Sequence, residues 1–363
     1  MSKSSRKESV QERALAILNR NRGSFFSGQE LADELGVTRA AVWKAVEKLR
    51  EEGCEIKAVT NRGYALGEDS DVLNRDSVAQ RLSDAATSFY HKLIFLKETT
   101  STNDYIQERY ASEAEEGLVV SAEYQTQGKG RYGRSFYSPR GTGIYFSLLL
   151  KPNCEAQYAI QITVAAAGAG ISACEKVAQK RLDEEVKIKW VNDLYLRDKK
   201  ICGILTEGTA SVETGKMERA ILGVGFNLTV DDDCPEDLRR IAGGLFAERA
   251  PVGARAALMG AFLNDFYGWY ERLFKRGDDE QTRARQELLK EYRARQFLVG
   301  KKIDVLNGGR EPTQARAASA VGIDDNFRLL VCYDDEPFKI VALNSGEARV
   351  RQTASQTRKY LRR

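Results

Sequence analysis

Residues 123–143, EYQTQGKGRYGRSFYSPRGTG, are the stretch of this chain best equipped for chemistry. Gly128, Gly130 and Gly133 leave backbone N–H groups open, and Lys129, Arg131 and Arg134 place three cations among them. Such a stretch can cradle an anion. The formal GxGxxG pattern follows an apolar run that reads as a strand, as a dinucleotide-binding fingerprint requires. Residues 134–143, however, are polar, contain Pro139 and two glycines, and run into another strand. No helix opens there to aim its N-terminus at a pyrophosphate, so the dinucleotide reading is set aside. A plain solvated basic loop is the alternative, and it does not account for three cations spaced among three glycines.

A second candidate is VKIKWVNDLYLRDKKICGILTEG, residues 186–208. Val186, Ile188 and Trp190 alternate as in a half-buried strand, and Asn192 and Asp193 follow where ligands often sit in α/β sheets. The bland reading is that Asn-Asp is a turn. LYL, an RDKK turn and ICGIL then read as a hairpin whose Lys199 and Lys200 either serve a site or are solvated. Thr99–Asp104 (TTSTND) is by itself a helix N-cap cluster. Gly223-Val224-Gly225-Phe226-Asn227 is a glycine-punctuated strand ending in a polar residue, for which close backbone packing suffices.

What the chain lacks narrows the chemistry further. Its 363 residues include a single histidine, His91, so neither a His-based metal site nor a Ser-His-Asp triad can be built. The six cysteines (Cys54, Cys154, Cys174, Cys202, Cys234, Cys332) form no CxxC pair and read as reduced, mostly buried thiols. No metal ligands are assigned. The reactive groups must be Lys, Arg, Asp, Asn and backbone amides. The formal net charge of +4 neither demands nor excludes nucleic acid. No apolar run approaches the ~20 residues of a membrane span, and the N-terminus lacks a secretory apolar core. The expectation is a cytoplasmic protein with no membrane partner.

The elements that must position these residues follow in order. The length suggests two or three domains. Val10, Ala14, Ile17 and Leu18 share one helical face, and Leu31, Ala32 and Leu35 form a second stripe that Gly36 ends. Thr38 is the predicted N-cap of a third helix, with Ala41, Val42, Ala45, Val46 and Leu49 inward and Arg39, Lys44, Lys48 and Arg50 outward. Residues 54–66 read as a hairpin around Asn61–Gly63. Helix, glycine turn, basic helix and hairpin in this order predict a winged helix-turn-helix over residues 1–66, with Arg39, Trp43, Lys44 and Arg62 as its DNA-binding residues. GEDSD (67–71) is the expected linker, and 73–82 a short helix. Apolar runs at 93–96, 118–124, 143–150, 186–190 and 220–226 alternate with helices over 103–110 and 156–179, which predicts a mixed α/β core. Two more helices are expected over 255–275 and 280–296. From Val299 the pattern becomes short strands with Gly, Asn and Asp turns, as in a small β-barrel. The tail 351–363 carries five basic residues and no acidic one, and reads as solvated or disordered.

Six segments in fixed order carry a resemblance: STN (101–103), EYQxxGKGRYGR (123–134), SPxGxG (138–143), KWVNDLYL (189–196), KKICGILTE (199–207) and GVGFN (223–227). Together they closely resemble the biotin–protein ligases. The winged helix-turn-helix resembles the subclass that doubles as the biotin operon repressor, and LNSGEARVR (343–351) resembles that family's SH3-like domain. The resemblance covers nearly the whole chain. It implies an α+β multidomain protein: a winged helix-turn-helix (1–66), a mixed α/β ligase domain related to class II aminoacyl-tRNA synthetases (73–296) and a C-terminal SH3-like β-barrel (297–355). The implied reaction joins biotin to ATP as biotinyl-5′-AMP, with Mg²⁺ assisting. Biotin then passes to a lysine of a biotin carboxyl carrier protein, of acetyl-CoA carboxylase or similar. Operator DNA and a homodimer induced by the adenylate are the other implied partners.

By motif position, Ser101, Thr102, Asn103 and Gln125 would contact biotin. Gly128, Lys129, Gly130 and Arg131 would close over its carboxylate and the phosphate, and Lys200, with Gly203 beside it, would bind the carboxylate or bridging oxygen. Arg134, Asn192, Asn227 and Arg351 would serve the nucleotide, and Asp193 would orient or deprotonate the incoming lysine. Arg131, Lys200 and Asp193 are thus the implied catalytic groups. This agrees with the residue chemistry, because the first nucleophile is the substrate's own carboxylate and the site need only position anions and neutralise charge. Two positions depart from the family pattern: Lys129 stands where Arg is usual, losing bidentate geometry, and Val191 where Pro is usual. The family orders a lid over the adenylate in the region of residues 229–252, which do not align residue by residue. Two rivals share these features: a DNA-binding biotin sensor with a decayed ligase, and a ligase for another acyl group such as lipoate.

Overall fold

The structure, a computed structural model, describes residues 9–51, 54–67, 70–110, 115–179, 182, 184–211, 213–306, 315–344 and 347–351. It divides into two compact units, Met1–Arg81 with Ala250–Ala257, and Leu82–Arg249 with Leu258–Arg363. The helix near residue 75 groups with the N-terminal unit, and the C-terminal strands group with the central sheet. The basic tail beyond Arg351 and two residues of the expected linker, 68 and 69, lie outside the described residues.

In the first unit, α1 (Val10–Arg20), α2 (Gly28–Leu35) and α3 (Arg39–Glu51) precede the hairpin β1 (Ile56–Val59) and β2 (Gly63–Leu66). Their shared core is Leu18, Leu31, Leu35, Val42, Val46 and Leu49, all buried. Local chemistry sets each boundary. Ser27 and Glu30 form a reciprocal capping box at the start of α2, and Gly36 ends it in the left-handed conformation at φ 66°. The Thr38 hydroxyl accepts from Ala41 N at 3.2 Å, starting α3 as predicted. Arg50 ties α3 to the hairpin by donating to the Ile56 carbonyl from Nε at 3.1 Å and from Nη2 at 2.8 Å. Phe26 and Tyr64 exchange both backbone hydrogen bonds, adding a bridge beside β2. The short helix α4 (Arg75–Ala79) completes the unit, capped by Asn74. Here too the buried Arg255 donates to Asp71 at 2.9 Å, and Gly253 N donates to the same carboxylate at 2.9 Å.

The second unit is built on an eight-stranded sheet of order β3-β4-β5-β10-β9-β8-β7, with β6 pairing β10. Its strands are β3 (Lys92–Leu96), β4 (Leu118–Ala122), β5 (Gly143–Leu150), β6 (Cys154–Glu155), β7 (Lys187–Lys189), β8 (Asp193–Leu196), β9 (Lys199–Ala210) and β10 (Lys216–Asn227). Only β3 and β4 are parallel, joined across α6 (Thr102–Arg109); the other pairings are antiparallel. A strand's two-residue period divides the sheet. One face, with Phe146 and Phe226, packs on Phe262 of α9 (Ala254–Phe274). On the same face α7 (Ile160–Ala178) presses so close that a Cβ on its Gly170 would meet Leu194 at 2.7 Å and Phe226 at 3.2 Å. The other face carries Ser147, Gly223 and Gly225 and receives α6. The remaining helices are α5 (Asp84–Phe89), α8 (Glu236–Arg239) and α10 (Asp278–Ala294).

The RDKK turn is shorter than its sequence suggests. Leu196 pairs directly with Lys199, leaving Arg197 and Asp198 as a two-residue loop, both at positive φ (52° and 57°). That is the hairpin turn whose twist matches its strands. Lys199 and Lys200 are therefore the first residues of β9 and not part of the turn. The long helix also starts later than position 156, after a strand pair and a short 3-10 turn. After α10, strands β11 (Lys302–Leu306), β12 (Arg316–Ile323), β13 (Leu329–Tyr333), β14 (Ile340–Leu343) and β15 (Glu347–Val350) form an antiparallel sheet of order β14-β13-β12-β11-β15. Among the described residues no pairing joins β14 to β15. The Trp190 indole donates to the Phe327 carbonyl at 2.9 Å, fastening this sheet to the β7–β8 turn.

Two glycines of the first unit make a matched test. A Cβ at Gly36 would meet nothing within 4 Å, whereas one at Gly63 (φ 96°) would stand 1.9 Å from the Phe26 carbonyl oxygen. Gly36→Ala should destabilise by about 1 kcal/mol, the cost of a left-handed alanine. Gly63→Ala adds a backbone clash and should cost more than about 3 kcal/mol. Urea unfolding compares them, and equal losses would mean that the wing does not close on Phe26 as described.

Candidate active site

Three glycines open the site. Gly203 on β9 and Gly225 on β10 are register partners, and Gly223 lies two residues back on the same face. A Cβ on Gly225 would stand 2.4 Å from the Phe136 ring, one on Gly203 2.8 Å from it, and one on Gly223 2.4 Å from Asn103 Oδ1. Without side chains the sheet lets Phe136 and Asn103 lie directly on its backbone. Over this floor is a cavity of about 450 Å³ including its open mouth. Its lining includes Ser101, Thr102, Asn103, Gln125, Lys129, Gly130, Arg131, Asn192, Lys200 and Gly203, so the structure gathers ten of the residues singled out in the sequence.

One group of these is neutral. Gln125 Oε1 accepts from Thr102 N at 2.9 Å and from its hydroxyl at 3.2 Å, while Gln125 Nε2 donates to Ser138 at 2.9 Å. The fully buried Ser147 hydroxyl lies 2.7 Å from Thr102 Oγ1 and 2.6 Å from Asn103 Oδ1. Asn103 Nδ2 donates to Glu207 at 2.6 Å. A carboxylate only accepts, so the Asn103 amide is fixed with its oxygen towards Ser147. Ser147 has one proton for two acceptors, and Thr102 has acceptors within reach for its own. A ligand facing Thr102 Oγ1 therefore meets a lone pair, suited to an N–H donor.

The other group is charged. The loop from Gly128 folds back on itself: Phe136 N donates to Gly128 O and Gly130 N to Arg134 O, each at 2.7 Å. A single 3-10 turn, Arg131–Gly133, lies in the loop, and the chain then runs into β5 without an α-helix. A Cβ on Gly128 would stand 2.4 Å from the Phe136 carbonyl, so the fold-back needs glycine there. Arg131 reaches Asn192 Oδ1 at 3.4 Å and the Tyr132 hydroxyl at 3.0 Å. Lys129 donates to Asp104 on α6, and this hydrogen bond first, opposed by partial burial, raises its pKa. Lys200 Nζ stands 2.8 Å from Asp193 Oδ1, yet that buried oxygen has no hydrogen bond of good geometry, so the contact is an ion pair only. Nearby, burial pushes the Lys189 ammonium down, against the opposing pull of Asp193. Asn192, in the β7–β8 turn, donates to Ile204 O at 2.6 Å. Asn192 is thus a turn residue that also lines the cavity, and Asp193 begins β8.

Asn227 is elsewhere, in an adjoining hollow shared with Lys200, Phe136, Tyr137, Val230 and Ile241. There Tyr137, which donates to Asp231 at 3.1 Å, has its pKa pushed up to about 12, by burial first and then by that carboxylate. Arg134 is exposed on the loop. Arg351 is not brought to the cavity lining: it pairs with Asp304 at 2.9 Å and Asp334 at 3.2 Å in the C-terminal sheet. Among the described residues no three His, Cys, Asp or Glu side chains gather as a metal site. The sequence reading missed Phe136, Ser147 and Glu207. The alternate-residue spacing of Gly223 and Gly225 was the available signal, since it puts two bare positions on one face of a strand.

In the first unit, Arg39, Trp43 and Lys44 project from α3, and Arg62 from the hairpin turn; all four are exposed, Trp43 by 55%. The Arg62 guanidinium lies 4.3 Å from the Phe25 ring centroid. A helix with a buried apolar face and an outer face of cations around a bare indole is equipped to meet a nucleic-acid groove.

Residues 95–227 match the biotin/lipoate A/B protein ligase family, and residues 10–65 match a helix-turn-helix (HTH) domain family. The chain is similar to the bifunctional ligase/repressor BirA of Bacillus spizizenii, 37% identical over 222 residues, which are 61% of this chain and 66% of that protein. It is similar to BirA of Escherichia coli, 34% identical over 208 residues, 57% of this chain and 61% of that protein. The matches span less than two thirds of either relative's own length. The fold is similar to that of the biotin protein ligase from Aquifex aeolicus in complex with biotin and ATP, at a TM-score of 0.54 and 22% identity, covering 72% of this chain and 99% of that one. No described helix is long and apolar enough to cross a membrane.

Proposed function

We propose that the chain belongs to the bifunctional biotin–protein ligase and repressor family, with a helix-turn-helix domain ahead of a ligase domain, and that it forms biotinyl-5′-AMP, transfers biotin to a carrier lysine, and binds operator DNA in response to biotin. The observation that carries the ligase half is the cavity's double character: a neutral hydrogen-bonding set (Thr102, Asn103, Gln125) and a cationic set (Lys129, Arg131, Lys200) over one glycine floor. Biotin has matching parts, a cyclic urea with two N–H groups and a carboxylate on an apolar chain. Lipoate offers a carboxylate but no N–H for the lone pair at Thr102, which favours biotin over the lipoate reading. The intact cations argue against a decayed ligase.

In the first step a biotin carboxylate oxygen attacks the α-phosphorus of ATP, a P–O bond forms and pyrophosphate leaves. Arg131 and Lys200 neutralise the converging anions, and Ser101, Thr102, Asn103 and Gln125 hold the urea. Lys129, Gly128 and Gly130 close the loop over the phosphate, where Lys129 exchanges Asp104 for the ligand. Gly203, bare beneath the Phe136 ring and the Lys200 ammonium, leaves Lys200 room beside the carboxylate. Asn192, Asn227 and Arg134 serve the nucleotide; Arg351 could join them only by leaving Asp304 and Asp334. Magnesium enters as part of the nucleotide, bound to its phosphates. In the second step the carrier's lysine amine attacks the acyl carbon and AMP leaves. The ill-aligned Asp193 oxygen is placed to take the amine's proton.

The same proposal includes the three domains at 1–66, 73–296 and 297–355, an SH3-like identity for the C-terminal sheet, and kinship of the ligase domain with class II aminoacyl-tRNA synthetases. It also includes a cytoplasmic location, where ATP and operator DNA are found, and a biotin carboxyl carrier protein as acceptor.

Incubation with biotin, Mg-ATP and a carrier domain should give a carrier heavier by one biotinyl group, and its absence would sink the ligase reading. In calorimetry, Lys200→Ala should weaken biotin binding by roughly 1.5–3 kcal/mol, one charge-assisted hydrogen bond. An unchanged affinity removes Lys200 from the site. Arg131→Gly should let the adenylate escape, so that lysines of unrelated proteins become biotinylated. A variant that labels only the carrier would deny the loop its retaining role. Residues 1–66 carry 12 Lys/Arg against 9 Asp/Glu, too even a balance for one winged domain to bind DNA tightly. Paired half-sites need a symmetric dimer. Biotin with ATP should therefore shift the protein from monomer to homodimer and raise its operator affinity, the two linked by about 1–3 kcal/mol. Sedimentation and DNA titrations that ignore biotin would leave only the ligase.

A further inference from the structure

Lys199 and Lys200 are neighbours on β9 and so point to opposite faces. Lys200 lines the glycine-floored cavity. Lys199 reaches the other way, and its Nζ donates to the carbonyls of Arg239 and Arg240, each at 2.7 Å, where α8 ends. The chain beyond α8 then runs beside Lys200, whose N donates to Ile241 O at 2.8 Å and whose O accepts from Gly243 N at 2.9 Å. Gly243 lies so near the Lys199 stem that a Cβ there would stand 2.4 Å from Lys199 Cβ. Leu245 N donates to Asn227 O at 3.0 Å and Phe246 N to Leu228 O at 2.8 Å, returning the strap to the end of β10. The two arginines do not compete for the place. Arg240 pairs with Glu236 at 2.7 Å, and Arg239 donates to the carbonyls of Asp232 and Cys234.

Leu238, Ile241 and Ala242 of this strap form one wall of the hollow that also holds Lys200 and Asn227. Strap and anion site thus share a single strand: the β9 backbone carries Lys200 into the site, and the Lys199 ammonium grips the wall across from it. We propose that Lys199 is a positioning residue for the nucleotide half of the reaction, clamping residues 239–243 against β9 so that the wall of the nucleotide hollow stands in register with Lys200. Two carbonyls converging on one point suit an ammonium, which has three donors and no acceptor. The proposal rests on the ligase reading above. The Lys199 side chain itself touches neither reactant.

The test uses the full chain with Lys199→Met, which keeps the stem and removes the charge, and Lys199→Arg, which restores it. Trypsin cuts after Arg239 and Arg240, so limited proteolysis without ligands reports the clamp itself. With Lys199→Met, cleavage at these two bonds should quicken by about tenfold and the KM for ATP should rise by about tenfold, while biotin affinity stays within about twofold of wild type. Lys199→Arg should return both values towards wild type. Cleavage and ATP KM of Lys199→Met within about twofold of wild type would overturn the proposal, as would a loss of biotin affinity equal to that of ATP. A wild-type protein that transfers no biotin would fail the ligase reading instead, and the cleavage rates would still decide whether Lys199 holds the strap.

Discussion

Everything in the second unit depends on how closely side chains approach the backbone of β9 and β10. Gly203 and Gly225 sit opposite each other, and any Cβ at either would enter the Phe136 ring. Phe136 is therefore held flat against the sheet, and its own backbone closes the basic loop through Gly128. The loop's height above the sheet sets how near Arg131 comes to Asn192 and how near the Phe136 ring comes to Lys200. A close-packed interior transmits such a constraint, because displaced rings have nowhere to go. The same bareness at Gly223 seats Asn103, and through Ser147 the neutral hydrogen-bonding set of Thr102 and Asn103 is fixed to β5.

Two of the three cations lining the cavity are paired with carboxylates. Lys129 leans on Asp104 and Lys200 on Asp193, while Arg131 is held by the neutral Asn192 and Tyr132. Exchanging one carboxylate partner for another anion costs less than desolvating a free ammonium. The Asp193 contact is the poorer of the two in geometry, since its buried oxygen makes no hydrogen bond.

Much of this arrangement is legible in the sequence, and what is not has a physical cause. Ser27, Gly36 and Thr38 announce helix ends through local hydrogen bonds, so the helix-turn-helix can be read residue by residue. Strands β4 and β5 are apolar but for one serine each because both their faces are covered. The outer halves of β9 and β10, TEGTA and KMER, give no such signal, since exposed strand ends carry no apolar alternation. Strand order is non-local and is invisible to pattern. Ser147 looks like any serine in an apolar strand, and Glu207 like any surface acid; only their meeting at Asn103, from positions far apart in the chain, gives them meaning. The strap after Asn227 has neither periodicity nor a family landmark, and its place comes from backbone pairing with Lys200.

The two-residue turn at Arg197–Asp198 has a consequence for how the chain can change. Two identical side chains, Lys199 and Lys200, stand next to each other, and only the strand's phase decides which faces the cavity and which meets a main chain. Their identity in composition hides an asymmetry of address. Substituting one lysine for the other's role needs no mutation of either. A single residue gained or lost in the turn would exchange them, leaving the KK motif intact to any reader of the sequence while inverting what each ammonium does.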